Sequence, residues 1–260
     1  MKTDNHQINL RTLWEERAKE KKDSFNSVLF QGLPDFLNHH IHNYHWYVIN
    51  KYFLPQIPKG SIVLDLGCGY GRIGKLITAT RPDLKLFGAD FSFTYCMMCN
   101  KDTNMNVTCA NIMCLPFKDN SFEAIIGITS LMYIPVDSRS EVMQTLFRLL
   151  KPGGKGLFID PGQEFMDLIS FLKPSTRHLS TGGDGFTLNH YKLLGDLGES
   201  VLLRHGGLPF FSISIPLLYL LRGVTGLNKL LLVMVDRMDR IFYKLDRFSI
   251  HRWILIEKKE

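Results

Sequence analysis

The 260-residue sequence holds little that would carry it out of a cell or tie it together covalently. Its first 23 residues, MKTDNHQINLRTLWEERAKEKKD, are polar and charged and lack the apolar stretch of a secretory signal. Nothing there directs export, and a cytoplasmic location is the expectation. Cysteine is scarce as well. Cys68, Cys96, Cys99, Cys109 and Cys114 are an odd number confined to one half of the chain, a poor basis for a disulfide framework and a better fit to a reducing compartment. Cys96 and Cys99 form C-x-x-C, but no second pair stands at zinc-ribbon spacing, so the expectation is buried thiols and no metal. Long hydrophobic runs are missing too. The 17 uncharged residues between Arg204 and Arg222 contain two glycines and two prolines, too short and broken for a spanning helix of about 20 residues. There is no internal repeat.

What is present is an ordinary globular balance, with 45% hydrophobic and 22% charged residues. The length suffices for one substantial core with an elaboration. The net charge of +6 is unevenly placed: residues 201–260 hold ten Lys/Arg against five Asp/Glu, which is +5 of the total.

The apolar pattern predicts helices over 11–23 and 35–54, then alternating strands (62–66, 85–89, 106–110, 123–128, 156–160) and helices (71–80, 93–101, 137–150). That alternation implies a parallel sheet with helices on both faces. Lys151-Pro152-Gly153-Gly154 is expected to close the helix before the fifth strand. Further helices are expected over 163–172 and 187–197, with strands over 200–204 and 252–257. About 45 residues separate the last two strands, more than a hairpin needs.

Ile62 to Gly74, IVLDLGCGYGRIG, reads as a strand, a glycine-dense turn and a helix start. Glycine at 67, 69 and 71 brings backbone N–H groups close to a ligand. Alone this is ambiguous, because Gly69, Gly71 and Gly74 also satisfy G-x-G-x-x-G, and Asp90 stands where a carboxylate would accept from two ribose hydroxyls. The acid identifies a ribose and leaves the cofactor open, nicotinamide included.

The wider constellation over residues 60–160 resembles the class I S-adenosylmethionine-dependent methyltransferases, in particular their small-molecule branch. It rests on VLDLGCGYG (63–71), FGADFS (87–92), ANIMCLPFKDNSFEAII (110–126) and LLKPGGKGLFI (149–159). The resemblance implies a Rossmann-like, seven-stranded, mostly parallel sheet with helices on both faces, an N-terminal helical lid, and a helical insertion before the last strand. It implies S-adenosylmethionine as cofactor, with S-adenosylhomocysteine as product. Asp65, Gly67, Cys68, Gly69 and Gly71 would stand at the methionine end, Asp90 and Phe91 at the ribose, Asn111 and Ile112 at the adenine, and Ile128 and Thr129 near the methyl group. Asn111 departs from the family's usual aspartate, yet its amide oxygen can still accept from the adenine amino group.

Methyl transfer from a sulfonium is an in-line displacement that needs alignment and dryness more than a catalytic side chain. Candidates to orient or deprotonate an acceptor are Tyr133, His45 and His190. His39, His42 and His45 share one face of the predicted helix, but no acid or cysteine lies beside them, which argues against a metal. Trp46, Tyr47 and Tyr52 give that segment the look of an aromatic lid.

From Leu227 to Phe248 an apolar stripe (Leu227, Leu231, Met234, Met238, Ile241, Leu245, Phe248) runs beside Lys229, Arg237, Arg240, Lys244 and Arg247. Such a helix packs on the core, caps an apolar acceptor or rests on an anionic membrane. The basic residues are not interleaved with aromatics, which argues against nucleic acid as partner. The expected organisation is a lid over 1–58, a core over 59–207 and 250–260, and an acceptor cap over 208–249. The expected activity is methylation of an O, N or C atom of a small, apolar or lipid-like acceptor. The alternatives are an NAD(P)-dependent oxidoreductase and an inactive, cofactor-binding partner subunit.

Overall fold

The computed structural model describes residues 2–172, 183–187, 190 and 200–259. Three helices, α1 (Lys2–Lys21), α2 (Phe25–Val28) and α3 (Asp35–Val48), precede the first strand. The core then alternates as β1 (Ile62–Leu66), α4 (Gly74–Thr80), β2 (Lys85–Asp90), α5 (Phe93–Asp102), β3 (Asn106–Cys109), β4 (Phe122–Ile128), α6 (Arg139–Leu149), β5 (Leu150–Pro161) and α7 (Gln163–Leu172). It ends with β6 (Ser200–Gly207), the helices α8 (Pro209–Leu220) and α9 (Thr225–Phe242), and β7 (His251–Lys258).

All seven strands form one sheet in the order β3-β2-β1-β4-β5-β7-β6, with β7 antiparallel to both neighbours. The chain order reverses between β1 and β4, so the crevice for a ligand opens at the C-terminal ends of those strands. Successive side chains point to opposite faces, and each face has its own core. Val63, Ala124, Ile126, Leu157, Ile159, Trp253 and Leu255 pack on the side of α3. Leu64, Ile125, Phe158, Ile254 and Ile256 pack on the side of α6 with Val142, Met143, Leu146 and Phe147. Each such side chain taken fully from water stabilises the fold by roughly 1.5–3 kcal/mol.

Several sequence expectations shift. The predicted helix 35–54 is regular only to Val48, then widens through Ile49–Phe53 and tightens at Leu54–Gln56, where Pro55 cannot continue it. The KPGG turn does not precede β5 but lies inside it as an irregularity between Phe122 and Ala124 of β4, with Gly153 at φ +72°. The predicted helix 187–197 lies outside the described residues apart from Thr187 and His190. Trp46, Tyr47 and Tyr52 form no lid. They pack against the first core, where Tyr52 stacks on Trp253 at 5.1 Å.

The α8–α9 hairpin is tied down at two points. Asp239 of α9 accepts from the amides of Phe210 (2.7 Å) and Phe211 (3.1 Å), capping α8. Arg252 of β7, wholly buried, donates to the carbonyls of Asp246 (3.1 Å), Arg247 (2.8 Å) and Phe186 (3.0 Å) and pairs with Glu164 at 3.1 Å.

Candidate active site

A cleft with about 920 Å³ of empty space, open to solvent, lies at the C-terminal ends of β1, β2 and β4. Its floor is the glycine turn. Gly67 adopts φ +70°, and a Cβ there would stand 2.7 Å from the Cβ of Ser130, so both the backbone angle and the close approach require glycine. Asp65, at the end of β1, is 2% exposed. Its Oδ2 has no hydrogen-bond partner among the described residues, and burial pushes its pKa up to about 7 against the pull of Arg72 and with the push of Asp90. An orphaned carboxylate oxygen on a cleft wall is poised for a cationic donor.

Arg72 lines the same cleft. Burial lowers its pKa to about 10, so it keeps its charge at neutral pH. Its guanidinium donates to His42 Nδ1 at 2.7 Å and approaches His45 Nδ1 at 3.5 Å, while His45 Nε2 lies 2.7 Å from His251 Nδ1. Burial holds all three imidazoles neutral, with His42 lowered to about 4 and His251 to about 3, and each can therefore accept from its neighbour.

Asp90 closes β2. Its Oδ2 accepts from the Gly69 amide and its Oδ1 from the Ser92 amide, both at 2.9 Å. The lone-pair capacity left beside these amides suits hydroxyl donors. Burial raises its pKa to about 6 despite those amides. Asn111 Oδ1 accepts from the Met113 amide at 3.0 Å, which fixes the side chain on the cleft wall. Thr129, at the end of β4, sits at φ +55°, an outlier for a β-branched residue and typical of strain stored at a ligand site.

Residues 63–154 match the family described as a methyltransferase domain. This part of the chain is a class I methyltransferase domain. The motifs, the strand order with its antiparallel β7 and the family match agree on S-adenosylmethionine rather than nicotinamide as its cofactor. Over 40% of its length the chain is 34% identical to the tRNA (carboxymethyluridine(34)-5-O)-methyltransferase of Xenopus tropicalis, of which that match spans 16%. Over 56% of its length it is 29% identical to the ubiquinone/menaquinone biosynthesis C-methyltransferase of Legionella pneumophila, spanning 61% of that protein. The chain thus spans less than two thirds of these relatives. Among solved structures, magnesium protoporphyrin IX methyltransferase from Synechocystis aligns over 96% of this chain and all of its own, with a TM-score of 0.61 at 13% identity, a likeness of fold.

Of the residues singled out in the methyltransferase domain, Asp65, Gly67, Cys68, Gly69, Asp90, Phe91, Asn111, Ile112, Ile128, Thr129 and Tyr133 line the cleft. Gly71 does not. At φ +85° it faces α5, where a Cβ would meet Thr103 Cγ2 at 2.7 Å, so it seats the helix start. His45 does not reach the cleft either, because it is wholly buried with its ring nitrogens turned to Arg72 and His251. His190 is also off the cleft, held by Arg139 at 3.2 Å. Tyr133 lies edge-on to Trp14 at 5.4 Å, and burial raises its phenol well above the usual range, which suits a wall or a donor.

Sequence reasoning missed Leu10, Trp14, Val28 and Arg72 as lining residues. The N-terminal cover is thus α1 and α2 rather than the histidine-bearing α3. The signal was there: Leu10, Trp14 and Ala18 repeat every four residues and are buried together. Glu15 docks the helix by accepting from the amides of Phe93 and Thr94 at the start of α5. Asp160 was missed as well. Buried at the end of β5, it accepts from the Met132 amide at 3.1 Å and so positions the turn that carries Tyr133.

Proposed function

We propose that the chain is an S-adenosylmethionine-dependent methyltransferase acting on an O, N or C atom of a small, apolar acceptor. The observation that carries this is the pairing, on one cleft, of buried opposite charges at Asp65 and Arg72 with an apolar wall of Leu10, Trp14, Val28 and Tyr133. The charges match a zwitterionic amino-acid end: Asp65 Oδ2 for the ammonium, Arg72 for the carboxylate. Asp90 takes the ribose hydroxyls, and Asn111 and Ile112 hold the base. S-adenosylmethionine supplies, when bound, an activated methyl group on sulfur.

The protein's own contribution is then alignment and exclusion of water. Trp14 and Tyr133 present flat apolar surface to an acceptor, and the Tyr133 hydroxyl, protonated at neutral pH, orients it by donation. The lining carboxylates with raised pKa values, Asp65 and Asp90, are engaged by the cofactor in this reading, so the acceptor atom is nucleophilic itself or loses its proton to water. The tRNA-modifying relative matches 40% of this chain.

Incubating the protein with methyl-labelled S-adenosylmethionine and a cell extract, then fractionating by mass spectrometry, tests this. Label in an organic-extractable small molecule supports the reading. Label confined to RNA or protein, or none at all, contradicts it.

A further inference from the structure

The amphipathic stripe of α9 does not face the core. Asn228, Val235 and Asp239 are the buried positions, with Leu231 and Leu232 half-buried against the first core. Leu227, Leu230, Met234, Met238 and Ile241, spaced by three or four residues and hence on one face, are exposed, Ile241 at 68%, as is Leu245 just beyond the end of the helix. From α8, Ile213, Leu217 and Leu220 are also exposed, Leu220 at 76%. No described residue of 208–249 lines the cleft, and the exposed apolar side of this insertion faces outward.

The charges around this face are sorted by sign. Arg222, Lys229, Arg237, Lys244 and Arg247 are exposed. The three acids of the segment are not free: Asp239 caps α8, Asp246 is buried beside Arg252 and His205, and Asp236 pairs with Arg240 at 2.7 Å. The outer surface is therefore apolar and cationic together. A second copy would bring the same positive charge to the face, and a nucleic acid would leave the aliphatic row in water. An anionic bilayer satisfies both, because acyl chains accept Leu, Ile and Met without shape complementarity while headgroups meet the cations. No described helix is long and apolar enough to cross a membrane, so the contact is with the surface.

We propose that the α8–α9 hairpin is a docking face for anionic phospholipid membranes, independently of the cofactor cleft. Flotation of the full chain with vesicles of neutral phosphatidylcholine, with and without about a third phosphatidylglycerol, tests it. Binding at least tenfold stronger to the anionic vesicles, weakened at high salt, is expected. Ile241→Asp with Leu245→Asp is expected to abolish it, and Arg237→Glu with Lys244→Glu to weaken it at least tenfold, with S-adenosylhomocysteine binding retained in both as the check on folding. Absent binding, equal binding to both vesicle types, or unchanged binding by either variant would overturn the proposal. So would a dimer in sedimentation that Ile241→Asp dissociates, since the face would then be covered by a second copy.

Discussion

The cofactor cleft and the α8–α9 hairpin sit on one sheet and are built on opposite rules. In the cleft the charged side chains have stated tasks, and the buried Asp65 Oδ2, without a partner among the described residues, marks where a ligand charge belongs. In the hairpin no single side chain is decisive, and what matters is the sorting of apolar, cationic and buried acidic positions around two helices. A small-molecule site depends on atoms held to fractions of an ångström, whereas a membrane face depends on area and charge. The first is sensitive to single substitutions, the second to sums.

Four measurements press on that contrast. The largest effect belongs to the joint between the two regions. Arg252→Met leaves Asp246 and Glu164 without their buried cation and should cost about 3 kcal/mol in chemical denaturation, with a change under 1 kcal/mol showing that the joint is incidental. Next, Asp90→Ala should weaken S-adenosylhomocysteine binding by about 1–3 kcal/mol in calorimetry and leave vesicle binding alone. Loss of both together would erase the distinction.

The third effect is pH-dependent. Asp65 and Asp90 have pKa values raised to about 7 and about 6, and their ionised forms are the stronger acceptors for the ligand. Binding draws on the carboxylates, so affinity should be full above pH 7.5 and fall as pH drops through 7 and then 6, about tenfold by pH 5.5. Asp65→Asn should remove the upper step. A flat profile in the wild-type protein would mean neither carboxylate meets the ligand. The smallest effect concerns strain. Thr129→Gly should raise stability by about 1 kcal/mol by relieving the left-handed backbone, and a loss would show the threonine side chain outweighs its geometry.

Much of the cleft was legible because its chemistry is local in sequence. The strand β1 runs from Ile62 to Leu66 as its apolar run predicts, and Gly67, Asp90 and Asn111 stand at turns that short motifs mark. What escaped was whatever the fold joins from afar. Trp14 lies in a helix with few apolar residues, and nothing local ties it to Tyr133, more than a hundred residues on. His45 and His190 were attractive by residue type, but burial and neighbouring guanidinium groups had already engaged them. In α9 the period was plain while its direction was not, since two faces of the helix are apolar and only the packing of Val235 and Asp239 shows which one is inside.

The central claim is that the cleft binds a zwitterionic nucleoside sulfonium. Calorimetric titration of the full chain with S-adenosylhomocysteine and, separately, with NADH and NADPH tests it most directly. One site for S-adenosylhomocysteine and no heat from either nicotinamide is the predicted result. Binding of a nicotinamide with none of S-adenosylhomocysteine would contradict it.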